Sequence, residues 1–402
     1  MNKSHVLLGA FLAFLICWGA AQAQNKYDTG ATDTEIKIGQ TMPYSGPASA
    51  YGTIGKTEQA FFKMINEQGG INGRKINLIS LDDAYSPPKT VEQVRKLVEQ
   101  DEVLFLWQNL GSAANSAIHK YVNQKKIPHI FISTGTTKFS DPKNFPWTMS
   151  GNTAYQTEAQ IYARYVLKTK PDAKIAVLYQ NDDFGKDLLK GLRDGLGAKA
   201  PMIVAEASYE AADPTVDSQI LSLKDSGADT LFTFATPKFA SQTIRKVYDI
   251  GWKPLHFMSY GSQSVAAVLA PAGLEKSVGL ITSSNVKDIN DPQWASASDV
   301  KTYQEFMKKY YSDGNPKDSI NVYGFIQANL LVQTLKQCGN DLTRENVMRQ
   351  AANLKNVELP MLLPGIKINT SPTDFFPFEQ LQMQKFDGKE WKTFGEIIDL
   401  QH

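Results

Sequence analysis

The sequence predicts an α/β protein of two parallel-sheet lobes behind a short N-terminal leader. Three observations predict it. Apolar runs of strand length alternate with amphipathic stretches of helix length from residue 36 onward. The alternation breaks over the polar, proline-bearing stretch 140–152 and then restarts, giving two runs rather than one. The 402 residues exceed a usual single domain, and 42% hydrophobic with 21% charged residues is the balance of a packed chain.

The leader is read first. Lys3 supplies a positive start, Val6 to Trp18 is apolar and uncharged, and Ala21-Gln22-Ala23 has the small-x-small pattern of signal peptidase sites. Cleavage is expected before Gln24. As a helix, the apolar stretch would reach only about 20 Å, short of a roughly 30 Å hydrocarbon core, so an export signal is expected rather than a membrane anchor. Its removal takes one basic residue and Cys17, leaving 41 basic and 41 acidic residues and the single Cys338. One cysteine makes no internal disulfide, and a chain without clustered basic excess does not attract nucleic acid or an anionic membrane.

Ile36–Met42 reads as the first strand, and Thr53–Gln68 follows as a helix with Ile54, Phe61, Met64 and Ile65 on one face. Gly69-Gly70 ends that helix and Asn72-Gly73 turns the chain into a strand at Lys75–Leu81. A helix begins past Pro87-Pro88, Val103–Trp107 is a third strand, and Ala114, Ala117, Ile118, Tyr121 and Val122 stripe the next helix. His129–Ser133 is a fourth strand. After the break come the helix Thr153–Lys168, the strand Lys174–Tyr179 and a helix with Leu188, Leu189, Leu192 and Leu196 inward. Strands at Met202–Ala207, Thr230–Ala235, His256–Ser259 and Val278–Thr282 alternate with helices at Val216–Lys224 and Phe239–Ile250. Tyr303, Phe306, Met307 and Tyr310 stripe one further helix, and Val322–Leu335 forms another. Gln380–Phe386 and Trp391–Ile398, joined by Asp387-Gly388, read as a hairpin.

The motifs of common catalytic chemistries are missing. No Gly-x-Gly-x-x-Gly follows a strand, and neither a P-loop nor a Gly-x-Ser-x-Gly elbow occurs. His119, His129, His256 and His402 have no metal-ligand spacing. Asp82-Asp83 and Asp182-Asp183 are adjacent pairs whose side chains point apart on an extended chain, so they read as strand-end and helix-cap residues. His129 reads as a satisfied core histidine, and Cys338 as an inert one at a helix end. No enzyme, cofactor or metal is expected.

Ligands of open parallel sheets sit beyond the carboxyl ends of the strands. There the chain places Pro43–Gly52, then Gln108–Ala113 running into a helix start, then Ser133–Thr137. Gly, Ser and Thr at one sheet edge, beside a helix N-terminus, offer N–H and hydroxyl donors to a carboxylate.

Ser45-Gly46-Pro47-x-x-x-Tyr51-Gly52, Asn66-x-x-Gly69-Gly70-Ile71-Asn72-Gly73-Arg74, Asp82-Asp83, Tyr179-Gln180-Asn181-Asp182-Asp183-Phe184-Gly185-Lys186-Asp187 and Phe234-Ala235-Thr236-Pro237-Lys238 lie along the chain in that order. Together they resemble the type I periplasmic binding proteins of ABC importers, in the branch of the leucine/isoleucine/valine-binding protein. The resemblance implies two Rossmann-like lobes joined by three crossings, 24–147 plus about 285–358 and 148–284 plus about 359–402. It implies that Asn109, Gly111 and Ser112 with Gly135, Thr136 and Thr137 hold a carboxylate. It also implies walls from Tyr51 and Tyr323 on one lobe and Phe184, Thr236 and Tyr260 on the other, with Tyr155 just past the hinge. An exported periplasmic monomer serving a membrane permease and ATPase pair follows from the same resemblance.

Two departures bear on the ligand. Tyr85 stands where amino-acid binders of the family have a cysteine-closed loop, and no partner cysteine exists. Met258-Ser259-Tyr260-Gly261-Ser262-Gln263 has no acidic residue where those binders pair the ligand's ammonium. An unpaired buried ammonium costs several kcal/mol. Unless Asp182 or Asp183 reaches in, the expected ligand is a small hydrophobic or aromatic acid, with branched-chain amino acids as the other candidate. A ligand sensor of the same fold and an exported enzyme are the alternatives. The signal peptide and the lack of a DNA-binding or signalling module disfavour the sensor; the missing catalytic set disfavours the enzyme.

Overall fold

The structure is a computed structural model that describes residues 26–399. The expected leader, its cleavage point and Cys17 lie outside the described residues. The main sheet of the first lobe has five strands: β1 (Glu35–Met42), β2 (Lys75–Asp82), β3 (Phe105–Trp107), β4 (His129–Ile132) and β5 (Thr148–Ser150). All run parallel, in the order β2-β1-β3-β4-β5. Three helices connect them: α1 (Gly52–Glu67), α2 (Pro87–Glu99) and α3 (Ser112–Gln124). Strand-to-strand connections through helices force this parallel, doubly wound arrangement.

The second lobe repeats the order. Its strands are β6 (Ile175–Gln180), β7 (Ile203–Tyr209), β8 (Thr230–Phe234), β9 (Leu255–Met258) and β10 (Ile281–Ser284), arranged β7-β6-β8-β9-β10. The antiparallel hairpin β11 (Gln380–Phe386) and β12 (Trp391–Asp399) extends that sheet beyond β10. Helices α4 (Tyr155–Thr169) and α5 (Asp183–Leu196) cover one face, and α6 (Asp217–Asp225) and α7 (Pro237–Asp249) the other. In each lobe the fifth strand leads into the opposite lobe, so β5 and β10 are the roots of two crossings.

After β10 the chain returns to the first lobe as α8 (Ser298–Tyr310), α9 (Ser319–Cys338) and α10 (Arg344–Ala351). The central helix α9 is buried on nearly every side, with Val322, Phe325, Ile326, Leu330 and Leu331 in the core that also holds Phe61, Phe62 and Trp107. Its sequence is therefore apolar all round rather than striped.

Three expectations are corrected. The second lobe was expected to begin at residue 148, yet Thr148–Ser150 forms the fifth strand of the first sheet, which moves the first crossing past residue 150. Residues 359–378 were expected in the second lobe, yet Met361, Leu363, Ile368, Phe375 and Phe378 pack into the first lobe's core, which moves the third crossing to about residue 379. His129 is a core residue, but neither ring nitrogen has a hydrogen-bond partner; burial lowers its pKa to about 3 and keeps it neutral. Cys338 is buried at the end of α9, its thiol pushed up to about 12 by burial, in keeping with an inert role.

Candidate functional site

The two sheets turn their carboxyl edges toward each other across a cleft. Its volume is about 120 Å³, taken as the space open to the centre of a water-sized sphere. The first-lobe wall comes from the loop after β1, which holds Tyr51 just before α1, and from the loop after β2, which holds Tyr85. Leu110, Gly111 and Ser112 supply the next section, where β3 passes into α3, and Tyr323 on α9 completes it.

Local chemistry fixes these loops. The Asp82 carboxylate accepts from the backbone N–H (3.1 Å) and hydroxyl (2.6 Å) of Ser45 and from the N–H of Ala84 (2.9 Å). Asp83 accepts from the N–H of Tyr85 and the hydroxyl of Thr90. Ala84 and Tyr85 both take positive φ, +52° and +58°, and this left-handed step turns the Tyr85 ring over the start of α3. Gly111 at φ +102° permits the approach, because a Cβ there would press into the Tyr85 ring. Helix α3 begins at Gly111 and Ser112, both on the cleft wall, and no side chain caps its first N–H groups.

The second-lobe wall is Phe184 at the start of α5, Thr236 after β8, and Tyr260 to Ser264 after β9. Asp182 caps α5 by accepting from the N–H groups of Phe184 (3.0 Å) and Gly185 (3.3 Å), which confirms the capping role and holds Phe184 in place. Asp183 accepts from Ser116 and Lys138 of the first lobe, both at 2.6 Å. Neither aspartate lines the cleft. Glu158 on α4 backs the Tyr260 loop instead, accepting its N–H at 2.7 Å.

Of the residues expected at the site, Tyr51, Gly111, Ser112, Tyr155, Phe184, Thr236, Tyr260 and Tyr323 line the cleft together. Asn109, Gly135, Thr136 and Thr137 do not. Asn109 donates to Thr41 at 2.9 Å and ties two strand ends together. Gly135 packs against the Thr153 carbonyl and the Tyr155 ring. Thr136 donates to Ser112 (2.8 Å), and Thr137 gives both its N–H and its hydroxyl to Asp187 at 2.8 Å. Sequence reasoning missed Tyr85, Thr153, Gln263, Asn285 and Phe378. Tyr85 was within reach of the strand-end rule, since it directly follows β2; the others belong to the hinge crossings and neighbouring loops.

Seven aromatic side chains face the cavity: Tyr51, Tyr85, Tyr155, Phe184, Tyr260, Tyr323 and Phe378. Tyr155 and Phe184 meet edge to face at 5.0 Å. Burial raises the hydroxyls of Tyr51, Tyr85, Tyr155, Tyr260 and Tyr323 above the ordinary phenol value, so they stay protonated donors. Among the described residues no Asp, Glu, Lys or Arg lines the cavity. Among the described residues there is also no group of three or more metal-ligating side chains, and no helix long and apolar enough to cross a membrane.

The arrangement suits capture of a small solute by two lobes closing on it. Comparison with known proteins agrees. The protein called Leu/Ile/Val-binding protein homolog 1 in Brucella suis is 24% identical over 356 residues, 87% of this chain and 89% of that protein. A branched chain amino acid ABC transporter protein from Thermus thermophilus, solved with bound valine, aligns with a TM-score of 0.83 at 16% identity, over 92% of this chain and 98% of that one. A solute binding protein of an ABC transporter from Rhodopseudomonas palustris, in complex with 3,4-dihydroxy benzoic acid, aligns with a TM-score of 0.76 at 18% identity, over 92% and 98%. The periplasmic binding protein profile matches residues 35–390, which take in the first sheet, all but the last strand of the second, and every loop of the cleft, so the chain belongs to that family.

Proposed function

We propose that the protein captures a small aromatic or hydrophobic acid lacking an α-ammonium and presents it, lobes closed, to a membrane permease and ATPase pair. The observation that carries this is the composition of the walls: seven aromatic rings, the uncapped start of α3, and no charged side chain. A carboxylate can be met without a cation by helix N–H groups and hydroxyls. An ammonium buried without a carboxylate to pair it costs several kcal/mol. Asp182 is spent on the cap of α5, Asp183 on Ser116 and Lys138, and Glu158 on the backbone behind Tyr260. The solved neighbours hold valine in one case and a benzoic acid in the other, so it is wall chemistry and not fold that supports the choice.

Calorimetric titration with benzoate, 4-hydroxybenzoate and phenylacetate, against leucine and valine, tests this. At least one acid is expected to bind in the micromolar range and the amino acids not at all. At about 100 times its dissociation constant that acid adds about 2.7 kcal/mol of stability, raising Tm by several degrees. Micromolar leucine binding with no response to the acids overturns the proposal and leaves branched-chain amino acids, the ligands named for the Brucella relatives, as the solute.

The proposal includes export as a monomer, with residues 1–23 as leader. The exported protein's N-terminus is then Gln24; a retained leader on the periplasmic protein contradicts this part.

A further inference from the structure

We propose that Thr153, on the first crossing between the lobes, is a solute-binding residue whose hydroxyl donates to the carboxylate. The assignment rests on the acid reading above. Thr153 is 2% exposed, lines the cavity, and its hydroxyl oxygen has no hydrogen-bond partner in the protein. A buried hydroxyl left unpaired costs free energy, so a site that keeps one holds it for a group that arrives.

The neighbouring hydroxyls are already committed. Ser112 and Thr134 bond each other at 2.8 Å, Thr136 donates to Ser112, and Ser133 meets the Tyr323 hydroxyl at 3.2 Å. Thr153 belongs to the same corner as these groups: its carbonyl packs on Gly135, in the loop joined to the start of α3 through Ser112. The backbone around it is fixed, with the Tyr260 hydroxyl on its carbonyl at 3.3 Å and the N–H of Tyr155 on the Gly135 carbonyl at 2.8 Å. Thr153 thus takes the place that the sequence suggested for Thr136 and Thr137. Because it sits on a crossing, the contact ties the carboxylate to the segment that must flex when the lobes close.

The test is titration of wild type, Thr153→Val and Thr153→Ser with whichever of benzoate, 4-hydroxybenzoate and phenylacetate binds wild type, alongside ligand-free melting. Thr153→Val keeps the shape and removes only the hydroxyl. It is expected to weaken each acid that binds wild type about 10- to 100-fold, the range of a hydrogen bond to a charged group, while ligand-free Tm stays at or above wild type because no internal bond is lost. Thr153→Ser is expected to recover most of the affinity. Three results overturn the assignment: wild-type affinity in Thr153→Val, a Thr153→Ser variant no better than the valine variant, or a drop in ligand-free Tm that accounts for the loss. In those cases the acid reading stands, since wild type still binds. If none of benzoate, 4-hydroxybenzoate and phenylacetate binds wild type, the acid reading falls and this assignment with it.

Discussion

Glu158 is buried beneath the Tyr260 loop, where its carboxyl accepts from the Tyr260 N–H at 2.7 Å and the Tyr162 hydroxyl at 2.9 Å and meets the Ser259 hydroxyl at 3.3 Å. Burial outweighs those bonds and pushes its pKa up to about 8. A carboxyl whose pKa is higher folded than unfolded binds its extra proton in the folded chain. The stability it contributes is complete below the ordinary carboxyl range and is lost as pH rises toward and through about 8. Wild-type stability is therefore expected to fall from about pH 5 to pH 9 by on the order of a few kcal/mol more than that of Glu158→Gln, whose amide carries no titrating proton. Melting curves across that range check it, and parallel curves for the two proteins refute it. The residue also shows where sequence reading stops. The gap at Ser259–Gln263 was legible from one segment, whereas the acid that touches this loop comes from α4, a hundred positions earlier. Asn109, Thr136 and Thr137 looked free for a ligand for the same reason: their folded partners Thr41, Ser112 and Asp187 belong to other elements.

At the scale of the element, the start of α5 shows how a cap positions a wall. Asp182 accepts from the N–H groups of Phe184 and Gly185 and from the Gln180 amide at 2.7 Å, while Gly185 lies so close to the Gln180 carbonyl that a Cβ would collide. The helix therefore begins tight against the end of β6, and Phe184 has one place to go. Asp182→Ala is expected to cost about 1 kcal/mol, within the usual range for a lost N-cap, and to lower Tm by about 1–2 °C. It should also weaken solute binding, because Phe184 loses its support, whereas Asp182→Asn keeps a capping oxygen and most of both properties. Melting and titration of the pair check this; an alanine variant equal to wild type shows that strand and packing alone place the ring. Such elements were legible because strand periodicity, Asp-Asp-Phe-Gly and a leucine stripe agree within twenty residues. Thr148–Ser150 was not, since three residues show no period, and neither was the placement of 359–378, whose Phe375 and Phe378 would suit either core.

For the whole molecule, the closed geometry is held by lobe-to-lobe contacts that need no solute. Helix α5 reaches across with Asp183, bound by Ser116 and Lys138, and with Asp187, bound twice by Thr137. Tyr51 donates to the Gly261 carbonyl at 2.9 Å and Ser264 to Asp318 at 2.8 Å. The two-lobe plan could be read from the break in strand–helix alternation; these contacts could not, because each joins segments that only the closed fold brings together. Side chains of Lys138 and Asp183 are about two-fifths exposed, so their ion pair adds little, and the hydrogen bonds carry most of the clasp. At about 0.5–1.5 kcal/mol for each bond, removing both aspartates shifts the closing equilibrium by roughly 2–3 kcal/mol, on the order of 30- to 150-fold. A solute that binds only the closed form loses affinity by the fraction of molecules left closed. The Asp183→Ala/Asp187→Ala protein is therefore expected to show a larger radius of gyration without solute, by small-angle scattering, and the wild-type radius at saturation. Its affinity for the acid that binds wild type should fall at least several-fold although every cavity-lining residue is intact. An unchanged radius together with unchanged affinity would mean that the crossings alone set the closed angle, with no help from the clasp.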